Sequence, residues 1–267
     1  MLQNDIRFKV DDNMVRLNPY ELAKVFSTAL CQPHTSIRDL TDFVNSVKKY
    51  PFASVAVDTY HFPLLFELLK GTEIDAACAI SYPLGGLQID VTADHIKWAV
   101  DHGADEIDVV MNMSAFKSGK YDKVKEEMRE YVSAAQGKIV KCIPCTDYLT
   151  QDEIRRVARI MVETGVSILK TNAGYKQVTK YDDVKIIKEE VGENLKVMSA
   201  GGVRNADIAL GMIKAGVDRI DSGTPFNVLN TLSTAMATYT KEELETIANR
   251  VEEMNRNQPK VRGKIYD

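Results

Sequence analysis

The 267-residue sequence lacks the features that mark several large classes of protein. Four cysteines are too few for a disulfide scaffold in a chain of this length, so a reducing cytoplasm is the expected compartment. No apolar run approaches the ~18 residues of a membrane span, and residues 1–7 (MLQNDIR) lack the apolar core of a secretion signal. The net charge of −4, without a basic block, argues against nucleic acid and membrane surfaces as partners.

What remains is typical of one soluble globular domain. Hydrophobic residues make up 45% of the chain and charged residues 27%, which are ordinary values. Barrels of alternating strands and helices form a single domain at about this length. We therefore expect one domain over 1–267, with an N-terminal helical extension (1–25) and a C-terminal helix and tail (239–267).

Apolar runs alternate with stretches of helical periodicity. Nearly continuous apolar runs predict strands at 53–57, 76–80, 106–111, 139–143, 166–170, 195–199 and 217–221. Helical stretches lie near 61–70, 92–102, 120–135, 150–164, 180–191 and 205–215. Apolar strands separated by helices imply a parallel sheet that is covered on its faces.

Seven strands leave barrel closure undecided. The candidate for the eighth strand is the run 26–30, which its pattern alone would assign to the end of a helix that begins near Pro19. The alternative, an open doubly wound sheet, predicts an early Gly-x-Gly-x-x-Gly turn, and the sequence has none. We therefore predict an α/β fold, a single-domain (β/α)8 TIM barrel, closed by residues 26–30.

Lys170 stands at the end of the apolar run 166–170, before the glycine turn at Gly174. Withdrawal from water disfavours the ammonium form of a lysine. A lysine that is neutral near pH 7 is a nucleophile able to form a Schiff base with a carbonyl compound. The alternative is a lysine whose flexible stem carries its charge out to solvent.

Asp108 and Lys141 add two ionisable residues within strand interiors. Each is unfavourable there unless it is paired or hydrogen-bonded. In a parallel barrel the catalytic groups gather at the carboxyl ends of the strands. Together with Lys170 these residues would form a site, in which the aspartate relays protons and Lys141 lowers the pKa of Lys170. Alone, Asp108 would instead form a structural ion pair.

Glycine turns follow the last two predicted strands, at 199–204 (SAGGVR) and 222–225 (SGTP), where Thr224 would cap a helix that begins at Pro225. Helix N-termini bind anions, and phosphate often lies at this end of a barrel. The turns therefore suggest a phosphate site. The alternative is two well-capped turns, and Asp221 would repel a phosphate if it faced the site.

Cys142 and Cys145 have the spacing of a zinc or redox pair. Zinc would require a second pair or nearby histidines, and the remaining cysteines stand far away in the sequence. A thioredoxin-type pair opens a helix, whereas this pair ends a strand. We therefore expect Cys142 to pack as an apolar residue, Cys145 to line the pocket mouth, and no metal to bind.

Five blocks resemble the deoxyribose-phosphate aldolase family, over a region from about Leu30 to Leu229. They are residues 82–86 (YPLGG), 103–112 (GADEIDVVMN), 116–122 (FKSGKYD), 169–175 (LKTNAGY) and 200–204 (AGGVR). Enzymes of this family are class I aldolases that split 2-deoxyribose 5-phosphate into glyceraldehyde 3-phosphate and acetaldehyde. The resemblance implies a TIM barrel, often dimeric, and a reaction without metal.

On this resemblance Lys170 is the Schiff-base lysine, Asp108 relays protons and Lys141 matches a lysine of the fifth strand. The residues that would bind the substrate or its phosphate are Thr171, Gly174, Gly201, Gly202, Ser222, Gly223 and Thr224. The chain departs from the family at four places. Met198 stands for a second catalytic lysine, Ser27 for the first-strand aspartate, Cys145 for a glutamate, and Asp221-Ser222-Gly223-Thr224 for the phosphate turn Gly-Thr-Ser-Ser.

The prediction is a cytoplasmic, cofactor-free class I aldolase, an aldehyde-lyase of carbohydrate catabolism that acts on a small sugar phosphate or aldehyde. Two alternatives stay open: a Schiff-base lyase with a different sugar substrate, and a non-catalytic barrel that binds a sugar phosphate. The chain would act as a homodimer or higher homo-oligomer. Whether Lys141 or Lys196 compensates for Met198 is open, although Lys196 should lie one layer deeper in the barrel.

Overall fold

The structure, a computed structural model, describes residues 17–258. Residues 1–16 of the predicted N-terminal extension and residues 259–267 of the predicted tail lie outside this range. Within it, the helix α1 (Pro19–Ala23) precedes the first strand, and the last helix covers Lys241–Arg256. Among residues 17–258, no helix is both long enough and apolar enough to cross a membrane.

Eight parallel strands form a closed barrel in chain order. They are β1 (Phe26–Ala29), β2 (Ser54–Asp58), β3 (Asp75–Ile80), β4 (Glu106–Val110), β5 (Ile139–Ile143), β6 (Ile168–Lys170), β7 (Lys196–Ala200) and β8 (Arg219–Asp221). The predicted TIM barrel is confirmed, and each of the seven predicted runs overlaps one of the strands.

The run 26–30 is a strand and does not continue the preceding helix. β1 pairs with β2 on one side and with β8 on the other, where Ser27 is the register partner of Asp221. Local periodicity favoured helix here, but the ladder hydrogen bonds to two neighbouring strands decide the conformation, as is common for short half-apolar segments. The helix that begins at Pro19 ends at Ala23.

Helices follow the strands and cover the barrel. They are α2 (Ile37–Val47), α3 (Phe62–Leu69), α4 (Ile89–Asp101), α5 (Met113–Lys117), α6 (Tyr121–Ala134), α7 (Gln151–Thr164), α8 (Tyr181–Val191), α9 (Ala206–Ala215), α10 (Pro225–Asn230), α11 (Leu232–Met236) and α12 (Lys241–Arg256). Among the helices that follow β1, the sequence did not predict α2, α5 and α11, and it predicted α10 only through its start at Pro225. For α2 a local signal existed, because Ser36 and Asp39 form a capping box.

Strand alternation divides the side chains of the barrel into two sets. Ile107 and Val109 pack outward into the main apolar core beneath the helices, while Glu106 and Asp108 of the same strand point inward. On β1 and β2 the inward side chains are short: Ser54 donates a hydrogen bond of 2.7 Å to its register partner Ser27. Small side chains on one side of the barrel leave room for long ones from the other.

Candidate active site

Six charged side chains of alternating sign form a row through the barrel interior. From the amino end of the strands to the carboxyl end they are Arg219, Glu106, Lys141, Asp108, Lys170 and Asp221. None of these six residues is more than 9% exposed as a whole. Three cations and three carboxylates balance, and such balance is what allows buried charge to persist in a folded protein.

Lys170, the last residue of β6, lies between two carboxylates at the carboxyl end of the barrel. Its Nζ is 2.6 Å from Asp108 Oδ2 and 3.0 Å from Asp221 Oδ2. The side chain is only 3% exposed, so the alternative of a lysine extended into solvent is wrong. The strand carries the residue into the barrel, and the two acids keep it there.

Lys141 joins the upper part of the row to the lower part. Its Nζ is 2.5 Å from Asp108 Oδ1 and 2.8 Å from Glu106 Oε2. Asp108 and Lys141 are direct register partners on β4 and β5, which explains their contact. Below them Arg219 donates to Glu106 Oε1 at 2.5 Å and to Gln258 Oε1 at 2.8 Å.

The electrostatics of Lys170 differ from the prediction. Burial lowers the pKa of its amine, but the charges of Asp108 and Asp221 outweigh burial and hold the pKa above its ordinary value. The expected lowering by Lys141 is therefore wrong for this state of the protein. Lys141 lies on the opposite side of the Asp108 carboxylate, so its charge acts on Asp108 and Glu106 first.

The two carboxylates in the middle of the row are strongly ionised. Burial raises the pKa of Asp108, but Lys141 and Lys170 outweigh it, so that the pKa lies below its usual value. The pKa of Glu106 is lowered in the same way by Arg219 and Lys141, again against the effect of burial. Asp108 is therefore a poor base while both lysines contact it.

Met198 and Lys196 occupy the positions expected on β7. Met198 is the register partner of Lys170 and is fully buried with Ile139 and Ile168. Lys196, two residues earlier, is 3.3 Å from Glu193 and 3.4 Å from Asp218. These contacts hold Lys196 at the amino end of the strand, so it does not replace the missing lysine.

The loop after β6 is fixed by a buried network of hydroxyl and amide groups. Thr171 Oγ1 is 2.6 Å from Thr179 Oγ1 and accepts from the Ala200 amide at 2.9 Å. Asn172 Nδ2 donates to Thr146 and Thr179 at 3.3 and 3.1 Å. The hydroxyl of Thr171 is thus engaged within the protein next to Lys170, and its role as a substrate ligand stays a prediction.

The predicted phosphate turns lie together at the carboxyl ends of β7 and β8. Ser222 Oγ donates to the Val203 carbonyl at 2.6 Å and accepts from the Thr224 amide at 3.1 Å. Thr224 is the N-cap residue of α10 and Pro225 is its first residue, as predicted, although the Thr224 side chain makes no capping hydrogen bond. The hydroxyl of Ser222 is therefore engaged, and backbone amides are the groups of these turns best suited to an anion.

Gly201 and Gly174 have positive φ angles of 92° and 91°. At Gly201 the requirement for glycine is also steric: a Cβ atom there would lie 2.7 Å from the carbonyl oxygen of Gln177. At Gly223 a Cβ would meet nothing within 4 Å. Steric contact thus excludes a side chain at Gly201 in the first glycine turn but not at Gly223 in the second.

We expect Gly201→Ala to destabilise the protein by about 1–3 kcal/mol, because it combines a left-handed backbone with contact to Gln177. Gly223→Ala is the matched control and should change the free energy of unfolding by less than about 1 kcal/mol. Urea unfolding of both variants measures the difference. Equal stability of the two would show that the turn at 201 is not confined as described.

The rim of the site carries Tyr82, Tyr175, Cys31 and Cys145. Tyr82 donates to the Ala173 carbonyl, and Tyr175 to the Cys31 carbonyl at 3.0 Å. Cys145 packs with Val110, Ile143 and Ala173 at the mouth, whereas Cys142 belongs to the main core. Both placements are as predicted. Within residues 17–258, no group of three or more histidine, cysteine or acidic side chains is arranged to hold a metal ion.

The structure brings together Lys170, Asp108 and Lys141 as predicted. Glu106 and Arg219 were not predicted as members of the charged row, and the inward orientation of Asp221 was not predicted either. Signals existed for the first two. Glu106 has the same strand parity as Asp108, and Arg219 is a cation within the apolar run 217–221. For Asp221 the sequence could not decide on which side of the turn the carboxylate lies.

Comparison with known proteins agrees with this geometry. Residues 25–224 match the model of a family described as DeoC/LacD family aldolase. A deoxyribose-phosphate aldolase of Dictyoglomus turgidum is 36% identical over 217 residues, 81% of this chain and 99% of that protein. One of Lactobacillus acidophilus is 37% identical over 201 residues, 74% of this chain and 85% of that protein.

Solved structures show the same architecture. A structure titled "QR15, an Aldolase" superposes with a TM-score of 0.76 at 31% identity, and the match covers 82% of this chain and 99% of that one. A putative deoxyribose-phosphate aldolase from Coccidioides immitis gives a TM-score of 0.78 at 23% identity, covering 81% of this chain and 87% of that one. The second likeness extends to the fold alone.

Proposed function

Because the chain belongs to the DeoC/LacD family of aldolases, we propose that it cleaves 2-deoxyribose 5-phosphate reversibly into glyceraldehyde 3-phosphate and acetaldehyde. The observation that carries the proposal is the buried amine of Lys170, in contact with Asp108 at 2.6 Å and Asp221 at 3.0 Å. An amine so placed, at the carboxyl end of a barrel strand, is suited to covalent catalysis on a carbonyl compound.

Lys170 is the proposed nucleophile. Its neutral amine attacks the aldehyde carbon of the open-chain substrate, and loss of water gives an imine whose positive nitrogen withdraws electrons from the neighbouring C–C bond. Removal of the proton from the 3-hydroxyl then breaks that bond, which releases glyceraldehyde 3-phosphate and leaves an enamine on Lys170. Protonation of the enamine and hydrolysis release acetaldehyde and the free amine.

Asp108 and Lys141 have supporting roles in this proposal. Asp108 lies beside the nitrogen of Lys170 and, with a water molecule or a substrate hydroxyl, relays protons during C–C cleavage. Lys141 keeps Asp108 ionised and fixes its position from the opposite side. The imine nitrogen serves as the electron sink, so we propose that the reaction requires neither a metal ion nor an organic cofactor.

The substrate phosphate is proposed to lie at the turns after β7 and β8. Gly201 and Gly202 would offer backbone amides there in the turn that leads to α9, and Gly223 would offer one just before α10. Gly174, beside the loop that follows Lys170, would contact the sugar. A single catalytic domain over 1–267, a cytoplasmic location and assembly into a homodimer or larger homo-oligomer complete the proposal. A tetrameric structure is described for the deoxyribose phosphate aldolase of Aeropyrum pernix.

A second candidate is a Schiff-base lyase for an unphosphorylated or different sugar. Asp221 favours it, because its carboxylate immediately precedes the turn at 222–224 and would repel a phosphate bound nearby. The two candidates share the imine chemistry of Lys170. They differ in the part of the sugar that lies away from the imine, which carries a phosphate in the first candidate.

The test is the release of acetaldehyde from 2-deoxyribose 5-phosphate, compared with release from 2-deoxyribose, in a coupled assay. The main proposal expects kcat/KM for the phosphorylated sugar to be higher by about 100-fold or more, since several amide contacts to phosphate are lost in the other substrate. Equal or inverted values would favour the second candidate. Saturable binding without turnover of any sugar would favour the non-catalytic barrel.

A further inference from the structure

We propose that Asp221 is a further catalytic residue, the group that takes the proton from Lys170 and returns it to the substrate oxygen while the imine forms. Asp108 stays ionised in these steps. This assignment rests on the proposed function, because it concerns the same imine. It gives separate duties to the two carboxylates that touch the nucleophile.

The contacts of the two acids differ. Asp108 contacts both lysines: Oδ1 forms an ion pair with Lys141 Nζ at 2.5 Å, and Oδ2 accepts a hydrogen bond from Lys170 Nζ at 2.6 Å. Asp221 has one cationic neighbour among the described residues, Lys170, at 3.0 Å from Oδ2. A carboxylate held by two ammonium groups gives up more basicity than one held by a single group. By its contacts, Asp221 is therefore the carboxylate placed to take the proton of Lys170, while Asp108 stays paired with Lys141.

The second oxygen of Asp221 is available for the substrate. Oδ1 is buried and has no hydrogen-bond partner within residues 17–258. A buried carboxylate oxygen without a donor is unfavourable, and a hydroxyl group formed on the carbon attached to Lys170 would supply one. The same carboxylate can thus contact the nitrogen through Oδ2 and the departing oxygen through Oδ1.

The other groups that face Asp221 are poor proton acceptors. Burial raises the pKa of the Cys31 thiol to about 12 and raises the pKa of the Tyr82 hydroxyl as well. Both therefore stay protonated near neutral pH. Lys170 is the ammonium group itself, and Asp108 is already engaged by two lysines. Among the described residues around the amine, Asp221 is left as the acceptor.

The proton transfers balance over the steps of imine formation. The Lys170 ammonium gives a proton to the Asp221 carboxylate, and the neutral amine forms a bond to the carbonyl carbon while the π pair moves to oxygen. Asp221 protonates that oxygen and then takes a second proton from the nitrogen. It returns this proton to the hydroxyl, which leaves as water as the nitrogen lone pair forms the C=N bond. Asp221 ends as a carboxylate, and ammonium plus aldehyde has become iminium plus water.

The test is the pH dependence of adduct formation. Wild-type protein and Asp221→Asn are mixed with acetaldehyde, stopped with borohydride at timed intervals, and scored by intact mass. In the wild type, the Lys170 ammonium with the Asp221 carboxylate holds the same number of protons as the neutral amine with the protonated acid. The rate of adduct formation should therefore change only a few-fold between about pH 6.5 and 9. In Asp221→Asn the proton must leave to solvent, so the rate should rise about tenfold per pH unit.

At pH 7 the Asn variant should form adduct about 100-fold or more slowly than the wild type, within the usual range for loss of an acid–base group. If Asp221 were only a counter-ion, the substitution would remove a charge that raises the pKa of Lys170, and the adduct would form faster at pH 7. A faster rate, or a profile in the variant as flat as that of the wild type, would overturn the assignment.

Two further variants serve as a control and as a replacement for Asp221→Asn. Asp58→Asn, at the end of β2, removes a carboxylate that contacts His61 at 2.9 Å and not Lys170; its rate should match the wild type. If Asp221→Asn fails to fold, Asp221→Ala assayed with and without formate replaces it, and formate should restore the rate at least tenfold. No recovery by formate in a folded Ala variant would count against the role. Adduct in Lys170→Ala would instead refute the proposed function.

Discussion

Replacing Lys170 by alanine is expected to lower turnover by about 10⁴-fold or more, because it removes the amine that is proposed to form the covalent intermediate. The substitution also leaves Asp221 buried without a cation. Lys170→Arg is therefore the informative companion. It keeps a positive charge between Asp108 and Asp221, but a guanidinium stays protonated and does not form imines.

Both variants should lose activity to a similar degree, measured as acetaldehyde release under saturating substrate. Circular dichroism and thermal unfolding would establish that the Arg variant retains the barrel. Activity within about tenfold of the wild type in a folded Lys170→Arg protein would contradict covalent catalysis by Lys170.

Replacing Lys141 by methionine is expected to destabilise the protein by about 3–5 kcal/mol, the range for removal of one partner from a buried ionic group. Lys141 contacts Asp108 at 2.5 Å and Glu106 at 2.8 Å, and all three side chains are at most 1% exposed. Methionine has similar volume, so the loss is one of charge balance. Denaturant unfolding measures it.

The double variant Lys141→Met/Glu106→Gln removes one cation and one carboxylate, so the row is neutral again. We expect it to recover at least half of the stability that Lys141→Met loses, which appears as a coupling energy in a double-mutant cycle. A loss below about 1 kcal/mol in the single variant, or additive losses in the double, would show that the alternating row contributes little to stability.

Much of the fold could be predicted because it depends on local pattern. The apolar runs, the capping boxes at Thr150 and Thr240, and the glycines that end α7 and α9 all have their effect within a few residues. β1 was the exception. Its conformation is decided by β2 and β8, and the pairing of Ser27 with Asp221 joins residues almost two hundred positions apart.

The sequence predicted several residues of the site correctly, but it did not predict the direction of the pKa shift of Lys170. Parity and burial pointed to Lys170, Asp108 and Lys141 as inward-facing charges. Which oxygen faces which nitrogen depends on strand register and on side-chain length across the barrel, neither of which a linear pattern contains. The position of Asp108 between the two lysines reversed the expected effect on the pKa of Lys170, because two carboxylates adjoin the amine more closely than the second cation does.

The inward turn of Asp221 has the same origin. In sequence it stood between a strand and a glycine turn, and either face was open to it. In the barrel it is the last residue of β8 and shares its register with Ser27, whose side chain is small enough to leave space beside it. Long side chains from β6 and β8 meet there. The small residues of β1 and β2 are thus as necessary to the site as the charged ones.

The most direct measurement is the location of the covalent adduct. The protein is incubated with acetaldehyde, reduced with borohydride and digested, and the modified peptide is sequenced by mass spectrometry. An ethyl group on the side chain of Lys170, at one equivalent per chain and absent when borohydride is omitted, is the predicted result. Modification at Lys141 or at surface lysines instead, with Lys170 untouched in an active protein, would contradict the account.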